Sequence, residues 1–223
     1  MEWVEARVVE APGVVLPVEL PPLEVVDHRE AEDGRRILEE LRRVEDLAVW
    51  SEAQHRKEVG GQDRYELGGA RALAIYTAPP GPSELQAVLD TVVPERVYLF
   101  ARDPDLDEIQ RFLERLAGLV KHRLGSFAGR ATISLLAAAT AQRESTVQVG
   151  VAWLAAQRQI IVVGQKGDEL ELAASDKAMR QDVLDLEEVA MPLKGALEET
   201  AAYRKHFKRA SPEALFGHRR RVV

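Results

Sequence analysis

Few side chains in this chain could do covalent chemistry, and they are scattered. There is no cysteine. That excludes a thiol nucleophile, a Cys-ligated zinc or iron–sulfur centre and a disulfide framework. The five histidines, His28, His55, His122, His206 and His218, stand singly. Asp27-His28-Arg29 invites a catalytic or metal reading, but one His with one Asp is too little for either, and a surface loop is expected there. No G-x-G-x-x-G follows a strand and no G-x-x-x-x-G-K-[ST] occurs, so no backbone cradle for phosphates is ready-made. Ser83 opens a helical stretch where free N–H groups could meet a phosphate; a plain cap after a Pro-rich turn explains it more simply. What remains is the chemistry of binding. Arg130, Arg143, Ser145, Thr146, Gln148, Arg158 and Lys166 lie in the second half. Arg204, Lys205, Lys208 and Arg209 lie near the end, with Tyr203 and Phe207 interleaved. Guanidinium and ammonium groups hold phosphates, Gln or Arg reads base edges, and aromatic rings stack on bases. The competing reading of the last cluster is a helix end that favours cations, with its aromatics packed inward.

The charge distribution narrows where an anion is welcome. The 223 residues carry 30 Lys+Arg and 37 Asp+Glu, a net of −7, which argues against a uniformly basic coat. Residues 1–103 hold 12 basic and 21 acidic side chains, and residues 167–202 hold 3 and 10. By contrast, residues 104–166 hold 8 and 5, and the tail 203–223 holds 7 and 1. Only the middle block and the tail are positive. The opening residues lack a secretory pattern, and the longest uncharged apolar stretch, 133–141, is far below the ~20 residues that span a bilayer. A cytoplasmic protein with no membrane partner is expected.

Elements must position these groups. Four prolines before Leu23 make residues 1–22 an arm or linker with at most an edge strand. Residues 23–103 alternate continuous apolar runs with amphipathic segments. Strands are expected at 23–27, 47–50, 72–77 and 96–100, and helices at 31–44 and 84–91. That pattern predicts a small, mostly parallel sheet covered on both faces, with ligands gathering at the strands' carboxyl ends. Asp103-Pro104-Asp105 marks a boundary. Residues 104–174 then read helix (capped by Asp107), short strand, helix, turn, helix and a hairpin, which is the order of a winged-helix domain. Its second turn-linked helix would present Arg143, Ser145, Thr146, Gln148 and Arg158 to nucleic acid, with Lys166 on the wing and Arg130 ahead of it. Residues 175–223 read as C-terminal helices and a basic tail, with Pro192 and Gly195 expected to kink or divide the helical tract.

Several strings, taken together and in order, resemble a known family. They are 73–85 (LAIYTAPPGPSEL), 94–100 (PERVYLF), 112–121 (FLERLAGLVK), 136–143 (LAAATAQR) and 200–207 (TAAYRKHF). This series is similar to the C-terminal region of RecJ-type single-stranded-DNA-specific exonucleases, over roughly residues 23–210. The resemblance implies a non-catalytic accessory module in DNA recombination and repair. It would help hold single-stranded DNA and dock partners such as the single-stranded-DNA-binding protein and the catalytic exonuclease domains, in cis or trans. The family's catalytic domains use Asp-His-His motifs with Mn or Mg; no such run occurs here, so no cofactor is expected in this chain and no catalytic residue is carried over. Two other readings stay open: a winged-helix transcriptional regulator on duplex DNA, or a purely protein-docking module. An enzyme using the strand-end crevice is a further class, disfavoured by the missing phosphate loop.

Overall fold

The computed structural model describes residues 18–19, 23–175, 186–217 and 220–221. In chain order the elements begin β1 (Val18–Glu19), β2 (Glu24–Asp27), α1 (Gly34–Val44), β3 (Leu47–Trp50), α2 (His55–Val59), β4 (Ala72–Thr77), α3 (Pro82–Val92) and β5 (Arg96–Arg102). They continue α4 (Ile109–Ser126), β6 (Arg130–Thr132), α5 (Ile133–Thr140), α6 (Glu144–Ala156), β7 (Ile160–Lys166) and β8 (Glu169–Ala174). The last are α7 (Leu186–Arg209), α8 (Pro212–Phe216) and β9 (Arg220–Arg221). The architecture is α/β.

The first unit is a four-stranded, wholly parallel sheet in the order β2-β5-β4-β3. Every residue of β4 is buried, as expected of a central strand covered on both faces. Alternation along it sorts the core. Leu73 and Ile75 join Trp50, Val88, Leu89, Val97 and Leu99 on one face, while Ala72, Ala74 and Tyr76 join Leu38, Val49, Tyr98 and Phe100 on the other. At the open side of β3, Gln62 bridges Trp50 in parallel.

The second unit stacks α4, α5 and α6 on an antiparallel sheet in the order β6-β8-β7. Phe112, Leu116, Val120, Leu136, Val147, Val151, Leu154, Leu170 and Leu172 fill its core. Two glycines set its spacing. A Cβ on Gly150 would approach Leu116 and Phe112 to 2.7 Å, so its absence lets α6 lie close on α4. Gly129 turns α4 into β6 at φ +78°, where a Cβ would also strike the carbonyl of Leu172.

Helix α7 belongs to both cores. Its Leu193 and Leu197 enter the second, and Phe207, near its end, enters the first beside Phe216 of α8. Of the expected kink or division, division does not occur: one helix runs through Pro192 and Gly195. The packing of Val189, Leu193 and Leu197 on either side outweighs one missing backbone bond. The expected start of that tract near residue 176 lies outside the described residues. Two caps also differ. Gly81 caps α3 with Pro82 at its first position, which places Ser83 inside the helix. Glu108, not Asp107, holds the cap position of α4. The arm and tail meet each other, β1 pairing antiparallel with β9 rather than adding an edge to either larger sheet.

Candidate nucleic-acid interface

The strand-end crevice, the obvious place for a ligand in a parallel sheet, is filled by the protein itself. Thr77 at the end of β4 accepts from the Glu52 backbone N–H at 3.0 Å, and its hydroxyl lies 3.1 Å from His55 Nδ1. The buried Glu52 carboxylate takes the Trp50 indole N–H at 2.8 Å and the Arg64 guanidinium at 2.7 Å. Burial pushes the His55 imidazole below its ordinary range, against the pull of Glu58, Asp103 and Asp105. The second unit then closes on this cluster. The Ala53 N–H donates to Ala138 O at 3.1 Å, Gln54 Nε2 to Pro104 O at 2.8 Å, and Tyr65 OH to Glu144 Oε1 at 2.7 Å.

Asp27-His28-Arg29 is also structural. His28 stacks on Tyr98 and Phe100. Arg29 binds Asp27 and donates to Phe207 O at 2.6 Å and Ala210 O at 2.9 Å, satisfying carbonyls at the end of α7. The hydrogen bond from Arg29 holds the Asp27 carboxyl below the usual range, burial opposing it. Among the described residues no three His, Asp or Glu side chains are placed to hold a metal ion.

The residues expected to contact nucleic acid separate into two groups. Arg204 is 1 % exposed and cannot reach a ligand. It donates to the Ala78 and Ala141 carbonyls and pairs with Asp107, locking α7 to both units. Burial raises the Asp107 carboxyl, and Arg204 pulls it back. Thr146 is fully buried, because α7 runs against α6. Arg143 is engaged by Glu199 at 2.9 Å and by Pro80 O at 3.3 Å. Lys208 pairs with Asp103 at 2.6 Å. The expected recognition face of α6 is thereby reduced to Ser145 and Gln148 beside an exposed Glu144, with Arg158 exposed just past the end of the helix. Tyr203 and Phe207 pack together and against the first core. Arg158, Lys205 and Arg209 are exposed, each outside the groove described next.

That groove, about 740 Å³, lies over the outer face of the antiparallel sheet, between the end of α4, the start of α5 and the β7–β8 hairpin. Arg123, Arg130 and Lys166 line it, together with Phe127 and Leu135. Phe127 is 49 % exposed, and the Arg123 guanidinium lies 4.3 Å from its ring centroid. Among the described residues none of the three cations forms an ion pair. Register opposes Arg130 to Glu171 and Lys166 to Glu169, so two carboxylates share the sheet face. The hairpin is held in place. Asp168 accepts from Ser134 N at 2.9 Å and Ser134 Oγ at 2.6 Å, and Thr132 caps α5. The groove thus offers three unpaired cations and one open aromatic face on a braced wall. Such a surface suits a flexible polyanion with rings to stack. Arg130 and Lys166 were expected at such a site; Arg123 and Phe127 were not, although an aromatic in the turn that ends a basic helix was visible.

No protein-family model matches the chain, and neither does any curated protein or solved structure.

Proposed function

We propose that this chain is a non-catalytic accessory module of a RecJ-like single-stranded-DNA exonuclease, acting in DNA recombination and repair in the cytoplasm. It holds single-stranded DNA and docks the catalytic domains and the single-stranded-DNA-binding protein. The observation that carries the reading is the groove in which Arg123, Arg130 and Lys166, without an ion pair among the described residues, stand beside the exposed ring of Phe127. Cations spaced along a wall serve the phosphates, and an aromatic face accepts any base, so the site favours strand over sequence. We read the second unit as a winged helix, because helix, strand, helix, helix and hairpin follow in that order with the first strand beside the last. Its contact surface is the sheet face rather than α6, since α7 lies against α6. That departure weighs against a duplex regulator, which would need α6 in a major groove. Among the described residues no helix is long and apolar enough to cross a membrane.

The reading predicts that a single-stranded oligonucleotide binds the chain, and that replacing Arg130 and Lys166 together by alanine lowers both the affinity and its salt dependence. Each lost phosphate contact removes roughly 0.7 from the slope of log affinity against log salt. Fluorescence anisotropy at two salt concentrations measures it. Equal binding by the double variant sinks the assignment to this groove.

A further inference from the structure

The groove does not end at the sheet. Leu135, 37 % exposed, lines it and also lines a second depression of about 690 Å³ where the two units meet. The second depression carries Lys57 from α2 and Arg115 from α4, both exposed, and neither forms an ion pair among the described residues. Its two carboxylates, Asp63 and Glu66, share one partner, Arg56, each at 2.7 Å, so the lining sets three cations against two anions. At its far end stands Tyr65, 46 % exposed, with the Arg64 guanidinium 5.7 Å from its ring centroid. The near end of the first depression repeats this pairing of open ring and arginine in Phe127 and Arg123. Beyond Tyr65 the next hollow sets Glu84 and Glu144 against Arg64 and Arg143, whose guanidiniums are already paired with Glu52 and with Glu199.

We propose that one strand of single-stranded nucleic acid lies along both depressions, over Leu135, so that the two units form a single interface ended by the stacking faces of Phe127 and Tyr65. This rests on reading the sheet groove as a single-strand site. Cations without an ion pair among the described residues along the path, and aromatic faces at its ends, select a flexible strand over a folded acidic protein, whose carboxylates need no stacking surface. It also gives the fixed arrangement of the two units a purpose. The buried Arg204, which ties α7 to both units, keeps the two halves of the path in line.

The test uses the full chain and an oligothymidylate of about 16 nucleotides, the upper end of the site sizes of single-strand-binding folds. Lys57→Ala with Arg115→Ala, both at the surface, should weaken binding and lower the salt slope by roughly 1.4, the share of two phosphate contacts. Tyr65→Ala should weaken it at least about fivefold, while Tyr65→Phe, which keeps the ring and loses only the hydroxyl, should bind as the parent does. If the Arg130/Lys166 variant loses affinity but the Lys57/Arg115 and Tyr65→Ala variants do not, the extended path is wrong and the sheet-groove reading stands. If the parent fails to bind at low salt, both fall. If an acidic peptide binds in a manner sensitive to both pairs while the oligonucleotide does not, the surface is a protein-docking one and the path is overturned.

Discussion

Phe127 shows at the scale of one residue how position decides exposure. A phenylalanine would bury itself in either core, yet this one sits in the turn after α4 and leaves half its surface in water under Arg123. Phe127→Ala should therefore lower single-strand affinity by about 1–3 kcal/mol, the worth of a stacked base, and leave the melting temperature unchanged. Phe127→Trp should restore the affinity. A large fall in melting temperature would mean that the ring is a packing group after all. His55 is the opposite case, a polar residue used for structure. Burial depresses its pKa in the folded chain below the unfolded value of about 6.5. The unfolded chain then binds the proton more readily at acid pH. The stability contributed by neutral His55 is full above the unfolded value and is lost as pH falls through the folded one. Melting curves at pH 7.5 and 5.5 should show a drop that His55→Gln makes smaller. An equal drop in the variant would show that the histidine does not carry the effect.

At the scale of elements, the β7–β8 hairpin is pinned to the start of α5. Asp168 reaches across to the start of α5 and satisfies both the N–H and hydroxyl of Ser134. Asp168→Ala should cost about 0.5–2 kcal/mol, as the loss of a helix cap does, and should weaken oligonucleotide binding although Asp168 is an anion. Tighter binding would show that its negative charge outweighs its bracing of Lys166. The elements themselves were legible. Continuous apolar runs located β3, β4 and β5, and the spacing of Phe112, Leu113, Leu116 and Val120 located α4. Partners across space were not. Arg204 reads as one of a basic cluster at a helix end, and only the crossing of α7 over Ala78, Ala141 and Asp107 makes it a buried lock. Thr146 looked presentable on α6 because the sequence does not say which helix will lie against that face. Arg130 and Lys166 could be listed, but their convergence with Phe127 depends on the register of β6, β8 and β7.

The whole molecule is a pair of units made into one body by a shared helix. Leu193 and Leu197 anchor α7 in one core, Phe207 anchors it in the other, and Arg204 ties the crossing. Removing one member of a buried ion pair leaves the other charge without compensation. Arg204→Met should destabilise the protein by about 3–5 kcal/mol and split a single melting transition into two, with Asp107→Asn partly restoring it in the same chain. A single transition at the parent temperature would show that the lock is dispensable. The same coupling lets a chain with a net charge of −7 offer one local cationic surface. The most direct test is an anisotropy titration of the intact chain with matched single- and double-stranded oligonucleotides at low and moderate salt. Tighter binding of the single strand, steeply weakened by salt and reduced in the Arg130→Ala/Lys166→Ala variant, is the predicted result. Tighter binding of the duplex, or no binding of the single strand at low salt, would contradict it.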